Sequence, residues 1–115
     1  MVSVMTVPRR HCHCYELAYK AMLNARDGVA DFIAPASAAD RLTLVHGLFH
    51  HHRQRIPHAW IETPDGHVLD VVTNQRTPLD EYYARMGATI ERRYSPKEAA
   101  RLMLEHGHFG PWPAS

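Results

Sequence analysis

Residues 58–72, HAWIETPDGHVLDVV, decide the fold: two apolar-rich runs flank Pro64-Asp65-Gly66. Proline is favoured at the first central position of a turn, and glycine takes left-handed backbone angles that other residues resist, so the stretch reads as a β-hairpin. A three-residue loop with Gly66 in the left-handed position sets Thr63 opposite His67, Trp60 opposite Asp70 and His58 opposite Val72. Because side chains alternate along a strand, His58, Trp60, Glu62, Val68, Asp70 and Val72 then share one face. His58 and Asp70 become diagonal neighbours, their backbones about 7 Å apart, a gap the two side chains can bridge. A loop of two or four residues would put them on opposite faces.

An aspartate inside the apolar run VLDVV is costly to bury unless it has a partner. His58 is the expected one. A carboxylate on one ring nitrogen fixes the tautomer and stabilises the charged ring, and the other nitrogen is left for a nucleophile. That nucleophile is expected upstream, in HCHCYELAYKAML. From Cys14 to Arg26, Leu17, Ala18, Ala21, Met22 and Ala25 recur at helical spacing, so Cys14 opens a helix. Thiols at helix N-termini and beside an imidazolium ionise more readily than free ones. Cys12 is the rival nucleophile, but it precedes the helix and lies outside its apolar register.

The remaining elements follow from local signals. Gly28 stops the first helix, and ADFIAPASAAD is a small-residue connector interrupted by Pro35. Leu42 to Phe49, LTLVHGLF, has the composition of a strand, and HHHRQR after it is too polar to bury and reads as a loop or strand end. Asn74 to Pro78 is expected to be a turn, LDEYYARMG a short helix ended by Gly87, and ATIERRY an edge or half-exposed strand. SPKEAARLMLEHG is the best-marked helix, with Ser95 as N-cap, Pro96 at the first helical position, Glu98 three residues after the cap and Gly107 at the end. Strands and helices do not alternate regularly, which predicts an α+β fold: an antiparallel sheet against an N-terminal helix bearing the nucleophile and a C-terminal helix.

With Cys14 in CYELA, His58 in HAWIE and Asp70 in GHVLDVV in this order and context, the chain resembles the papain-like and transglutaminase-like superfamily, especially its small bacterial and phage members. The resemblance covers residues 12–72 and implies a cysteine hydrolase or acyl/amide transferase working through a thioester. It implies Cys14 as nucleophile, His58 as acid and base, and Asp70 as the group that orients His58. It calls for no metal and no cofactor, and for a protein, peptide or small acyl/amide substrate. Papain-type enzymes help bind the oxyanion with a glutamine before the cysteine. This chain has none before Gln54 and reads VVTN, not Pro-Thr, after Asp70. The Cys14 N–H is one expected oxyanion donor, with His11 or Arg10 as the other. Trp60, His46 and His11 are the residues expected at the substrate.

Plainer roles stand beside these. Cys14 can be a packed apolar thiol, His58 a half-buried strand residue, and Asp70 a turn cap or a partner of Arg76. His46 can be a satisfied sheet histidine, Trp60 core or pocket wall, and Glu62 a solvated strand residue. HCHC and HHH offer zinc donors without a structural-zinc spacing. The rival functions are therefore a catalytically silent binding module on the same fold and a zinc-stabilised module.

Length and composition limit the classes further. A chain of 115 residues suits one domain spanning 1–115, able to bury roughly two thirds of its unfolded surface. No apolar run approaches the about 18 residues of a membrane span, and MVSVMTVPRR lacks the core of a secretory signal, so a cytoplasmic location is expected. A net charge of +1 argues against nucleic acid as partner. A homodimer or protein partner can complete a cleft this small. The ten histidines make the charge sensitive to pH through roughly 6 to 7.

Overall fold

The computed structural model describes residues 14–26, 41–73 and 75–112. Its elements are α1 (Cys14–Arg26), β1 (Thr43–His51), β2 (Gln54–Glu62), β3 (His67–Asp70), β4 (Gln75–Pro78), α2 (Leu79–Met86), β5 (Thr89–Tyr94) and α3 (Pro96–His106). The strands form one sheet in the order β4-β3-β2-β1-β5, every neighbouring pair antiparallel. The class is α+β. Among the described residues no helix is long and apolar enough to cross a membrane.

The sheet is covered on both faces because its central strands carry apolar residues at odd and even positions alike. Leu44, Ala59, Ile61 and Leu69 face a core completed by Ala18, Tyr19 and Met22 of α1 and by Ala99 and Leu102 of α3. Val45, Trp60 and Val68 face the other way, onto Tyr82 of α2. On the outer side of α1, Lys20 pairs with Glu16 one turn back, at 2.6 Å.

The β2–β3 hairpin has the register read from its turn. The Thr63 N–H donates to the His67 carbonyl at 2.8 Å, and Gly66 takes φ +84°. Ile61 pairs with Leu69 and Glu62 with Val68. Beyond Ile61–Leu69 the ladder ends, just before the positions of Trp60, Asp70 and His58. Pro57, which has no N–H for a ladder, lies on the stretch of β2 paired only with β1.

One local expectation is given its form and another is corrected. HHHRQR is the tip of a second hairpin: β1 and β2 pair from Thr43–Glu62 out to His51–Gln54, around a turn of His52 and Arg53 at φ +49° and +65°. Backbone pairing satisfies this stretch while its polar side chains remain largely in water, so burial was not required for it to be strand. Residues 75–78 form β4, which pairs with β3 from His67–Pro78 to Asp70–Gln75. A fourth strand covers the edge that β3 would otherwise expose.

The later elements follow their signals. Ser95 Oγ accepts from the Glu98 N–H at 3.1 Å, and α2 and α3 end at Gly87 and Gly107 with positive φ. At Gly47 the β1–β5 register shifts, and the strands come so close that a Cβ there would meet the Thr89 carbonyl oxygen and sit 2.7 Å from Trp60 Cη2. One obstacle is strand backbone and the other a fully buried ring. Gly47→Ala should therefore destabilise the protein by about 3 kcal/mol, as overpacking of a dense core does, measured as a lower urea midpoint; an unchanged midpoint would mean the two strands are free to separate.

Candidate functional site

The hairpin and α1 bring the three sequence-selected residues together. Cys14 is the first residue of α1, where the N–H groups of the opening turn have no acceptor within the helix. His58 lies on β2 and Asp70 ends β3. All three are buried, at 1%, 1% and 2% exposure. His58 Nε2 donates to Asp70 Oδ2 at 2.9 Å. Cys14 lies near enough to the His58 ring to add to the upward pull that Asp70 exerts on its pKa. With Nε2 on Asp70, Nδ1 is the ring atom left to face the thiol.

Asp70 is held from three directions. Its Oδ2 also accepts from the Tyr82 hydroxyl of α2 at 2.8 Å, and its Oδ1 accepts from the Val72 N–H at 3.1 Å. It therefore caps the turn after β3 and anchors His58 at once. Arg76, the alternative partner, binds Asp65 instead. Burial alone would push the Asp70 carboxyl up, but the His58 hydrogen bond and charge, with help from Tyr82, hold it below the usual carboxylate range. Burial likewise pulls His58 down. The hydrogen bonds and charges of Asp70 and Cys14 outweigh it and lift His58 to about 9. A ring protonated at neutral pH carries a donor on each nitrogen, and Nε2 gives its own to the Asp70 carboxylate.

The residues expected at the substrate are placed differently. Trp60 shares the face of His58 but is fully buried, its indole N–H donating to the Tyr83 hydroxyl at 2.8 Å. It is a core residue beneath the site, with no surface for a ligand. His46 pairs with Ala59, one position out of step with His58, so it points to the opposite face. There its ring is enclosed by Tyr15, Tyr94 and Trp112 at centroid distances of 4.6, 5.0 and 5.2 Å. The segment after α3 closes the cage at Gly110, where a Cβ would lie 2.6 Å from His46 Cε1. His46 thus lines no cleft shared with His58. His11, Arg10 and Cys12 lie outside the described residues.

Glu62 is a further correction. It is buried, not solvated, and accepts from the Tyr83 hydroxyl at 2.6 Å and from Arg93 Nε at 2.9 Å. Residue spacing alone could not identify Tyr82, because Tyr82 and Tyr83 are adjacent and only the setting of α2 on the sheet aims one at Asp70 and the other at Glu62. Among the described residues no three His, Cys, Asp or Glu side chains are grouped to hold a metal ion. Comparison with protein-family models, curated proteins and solved structures finds no match to the chain.

His46 and His58 give stability opposite dependences on pH. Neither nitrogen of His46 has a hydrogen-bond partner among the described residues, and burial pulls its pKa down to about 4. Between pH 6.5 and 4 the unfolded chain takes up a proton there and the folded chain does not, so stability falls by about 3 kcal/mol. His58 is raised, so its contribution is complete below about 6.5 and is lost as pH rises toward 9. Urea unfolding should therefore show greatest stability near neutrality. His46→Phe should selectively flatten the acid limb; parallel wild-type and variant curves from pH 7 to 4 would rule out a neutral, caged His46.

Proposed function

We propose that the protein is a cysteine-dependent hydrolase or acyl/amide transferase with a papain-like or transglutaminase-like core. The observation that carries this reading is His58, buried between the Asp70 carboxylate and the Cys14 thiol at the start of a helix. His58 has an acceptor on one side and a nucleophile on the other, which is the arrangement that activates a thiol.

In the proposed reaction His58 holds the proton that Cys14 gives up, and the sulfur attacks the carbonyl carbon of an acyl or amide substrate. The carbonyl oxygen becomes an oxyanion that first-turn N–H groups of α1, beginning at Cys14, are suited to stabilise. As the carbon–leaving-group bond breaks, His58 passes its proton to the departing amine or alkoxide, leaving a thioester on Cys14. Water or an acceptor amine then adds to the thioester carbonyl and gives His58 a proton. Collapse of that second intermediate breaks the C–S bond and returns the proton to sulfur. Asp70 keeps the ring oriented and its charge balanced through both halves. The scheme calls for no metal or cofactor and needs a reduced thiol, which a reducing compartment such as the cytoplasm maintains.

Cys14 is 1% exposed, so the residues around it must open to admit a substrate. The same burial favours a second reading, a catalytically silent binding module whose trio only braces α1 against the sheet. The two readings separate on reaction with p-nitrophenyl acetate in a Cys12→Ser background, followed by intact mass and peptide mapping. An acetyl adduct should form on Cys14, and its rate should fall about 100-fold or more in His58→Ala and about 10-fold or more in Asp70→Asn. Equal rates in all three folded proteins, or no adduct, would contradict the catalytic reading and favour the silent module.

A further inference from the structure

Tyr82 and His58 donate to the same oxygen, Asp70 Oδ2, at 2.8 and 2.9 Å. This sharing has a chemical consequence. A carboxylate oxygen that already accepts a strong hydrogen bond is a weaker acceptor and a weaker counter-charge for the next donor. Tyr82 is 2% exposed and its phenol is pushed far above its ordinary range, first by burial and then by the Asp70 charge. It remains an O–H donor under all working conditions. The other carboxylate oxygen is held by the Val72 N–H, so the carboxylate stays in place if the phenol is removed.

We propose that Tyr82 is a positioning residue of the Cys14–His58–Asp70 site: by drawing on the oxygen that anchors His58, it restrains the carboxylate's hold on the imidazolium so that the ring can release its proton to a leaving group. The proposal rests on the cysteine reading for its purpose. Acyl transfer needs His58 to give up a proton and recover it in each cycle, and a ring held too firmly in its charged form is a poor acid. Among the described residues, the titratable and charged groups bearing on this cluster are Cys14 from α1, His58 from β2, Asp70 from β3, and Tyr82, Tyr83 and Arg85 from α2. Among the described residues only Tyr82 places a hydroxyl on the Asp70 carboxylate; the Thr73 hydroxyl goes to the Asp70 backbone carbonyl. Tyr83, the neighbour of Tyr82, places its own on Glu62, so the same helix carries a matched control.

The test is NMR titration of the His58 ring in full-length wild type, Tyr82→Phe and Tyr83→Phe. Tyr82→Phe should raise the His58 pKa by about half to one unit, a roughly three- to tenfold change in its ionisation constant. Tyr83→Phe should leave it unchanged. Site-specific 3-fluorotyrosine at position 82, a stronger donor, should shift it downward and serves if the phenylalanine variant does not fold. A His58 titration unmoved by either change at position 82, with only a lower melting temperature, would reduce Tyr82 to a packing residue and overturn the proposal. Because the titration needs no turnover, its failure is distinguishable from that of the cysteine reading. A shifted His58 with no acyl adduct on Cys14 removes the catalytic purpose, and an adduct with an unshifted His58 removes Tyr82.

Discussion

The structure depends on one buried hydrogen bond, from His58 Nε2 to Asp70 Oδ2 at 2.9 Å. Both groups are almost fully withdrawn from water, and an ion pair in that position is tolerable only if its remaining donors and acceptors are satisfied. The fold surrounds the pair from different elements: the Val72 N–H from the turn after β3 and the Tyr82 hydroxyl from α2 bind the carboxylate, and the Cys14 thiol of α1 lies beside the ring. The pair therefore ties the two helical layers to the sheet between them. It also requires the Thr63–His67 register, since a shift of one residue would send Asp70 to the other face.

The two buried sheet histidines show how environment divides one residue type between two electrostatic states. His58 has a carboxylate and is charged. His46, one strand over and on the opposite face, has aromatic rings and is neutral. His46 is also where α1, β5 and the segment after α3 meet, because Tyr15, Tyr94 and Trp112 all pack on its ring. Tyr15 follows Cys14 directly. The cage thus supports the start of α1 on the face where that helix packs.

What could be read in advance was what local chemistry dictates. Pro64-Asp65-Gly66 set the hairpin parity, and parity is enough to bring His58 and Asp70 to one face without any knowledge of the fold. Ser95 with Glu98, and Gly87 and Gly107, marked helix ends for equally local reasons. The features that escaped depend on long-range packing. The strand at 75–78, expected as a turn, pairs with the edge of β3. Glu62 was taken for a solvated residue because its partners, Tyr83 and Arg93, lie 21 and 31 residues away. Tyr82 escaped for the same reason, and the orientation of His46 could not be set before the β1–β2 register was known.

The proposed chemistry follows from the same constraint as the fold. A helix start, a strand and a strand end each deliver one side chain, and His58 binds Asp70 with Cys14 nearby. The central claim is that His58 activates Cys14, and the most direct measurement is the distance from Cys14 Sγ to His58 Nδ1 in a high-resolution crystal structure of the reduced protein. The account predicts about 3 to 4 Å, with Nε2 still on Asp70. A separation beyond about 7 Å with the His58–Asp70 bond intact would contradict it, leaving a structural ion pair and an inert buried thiol.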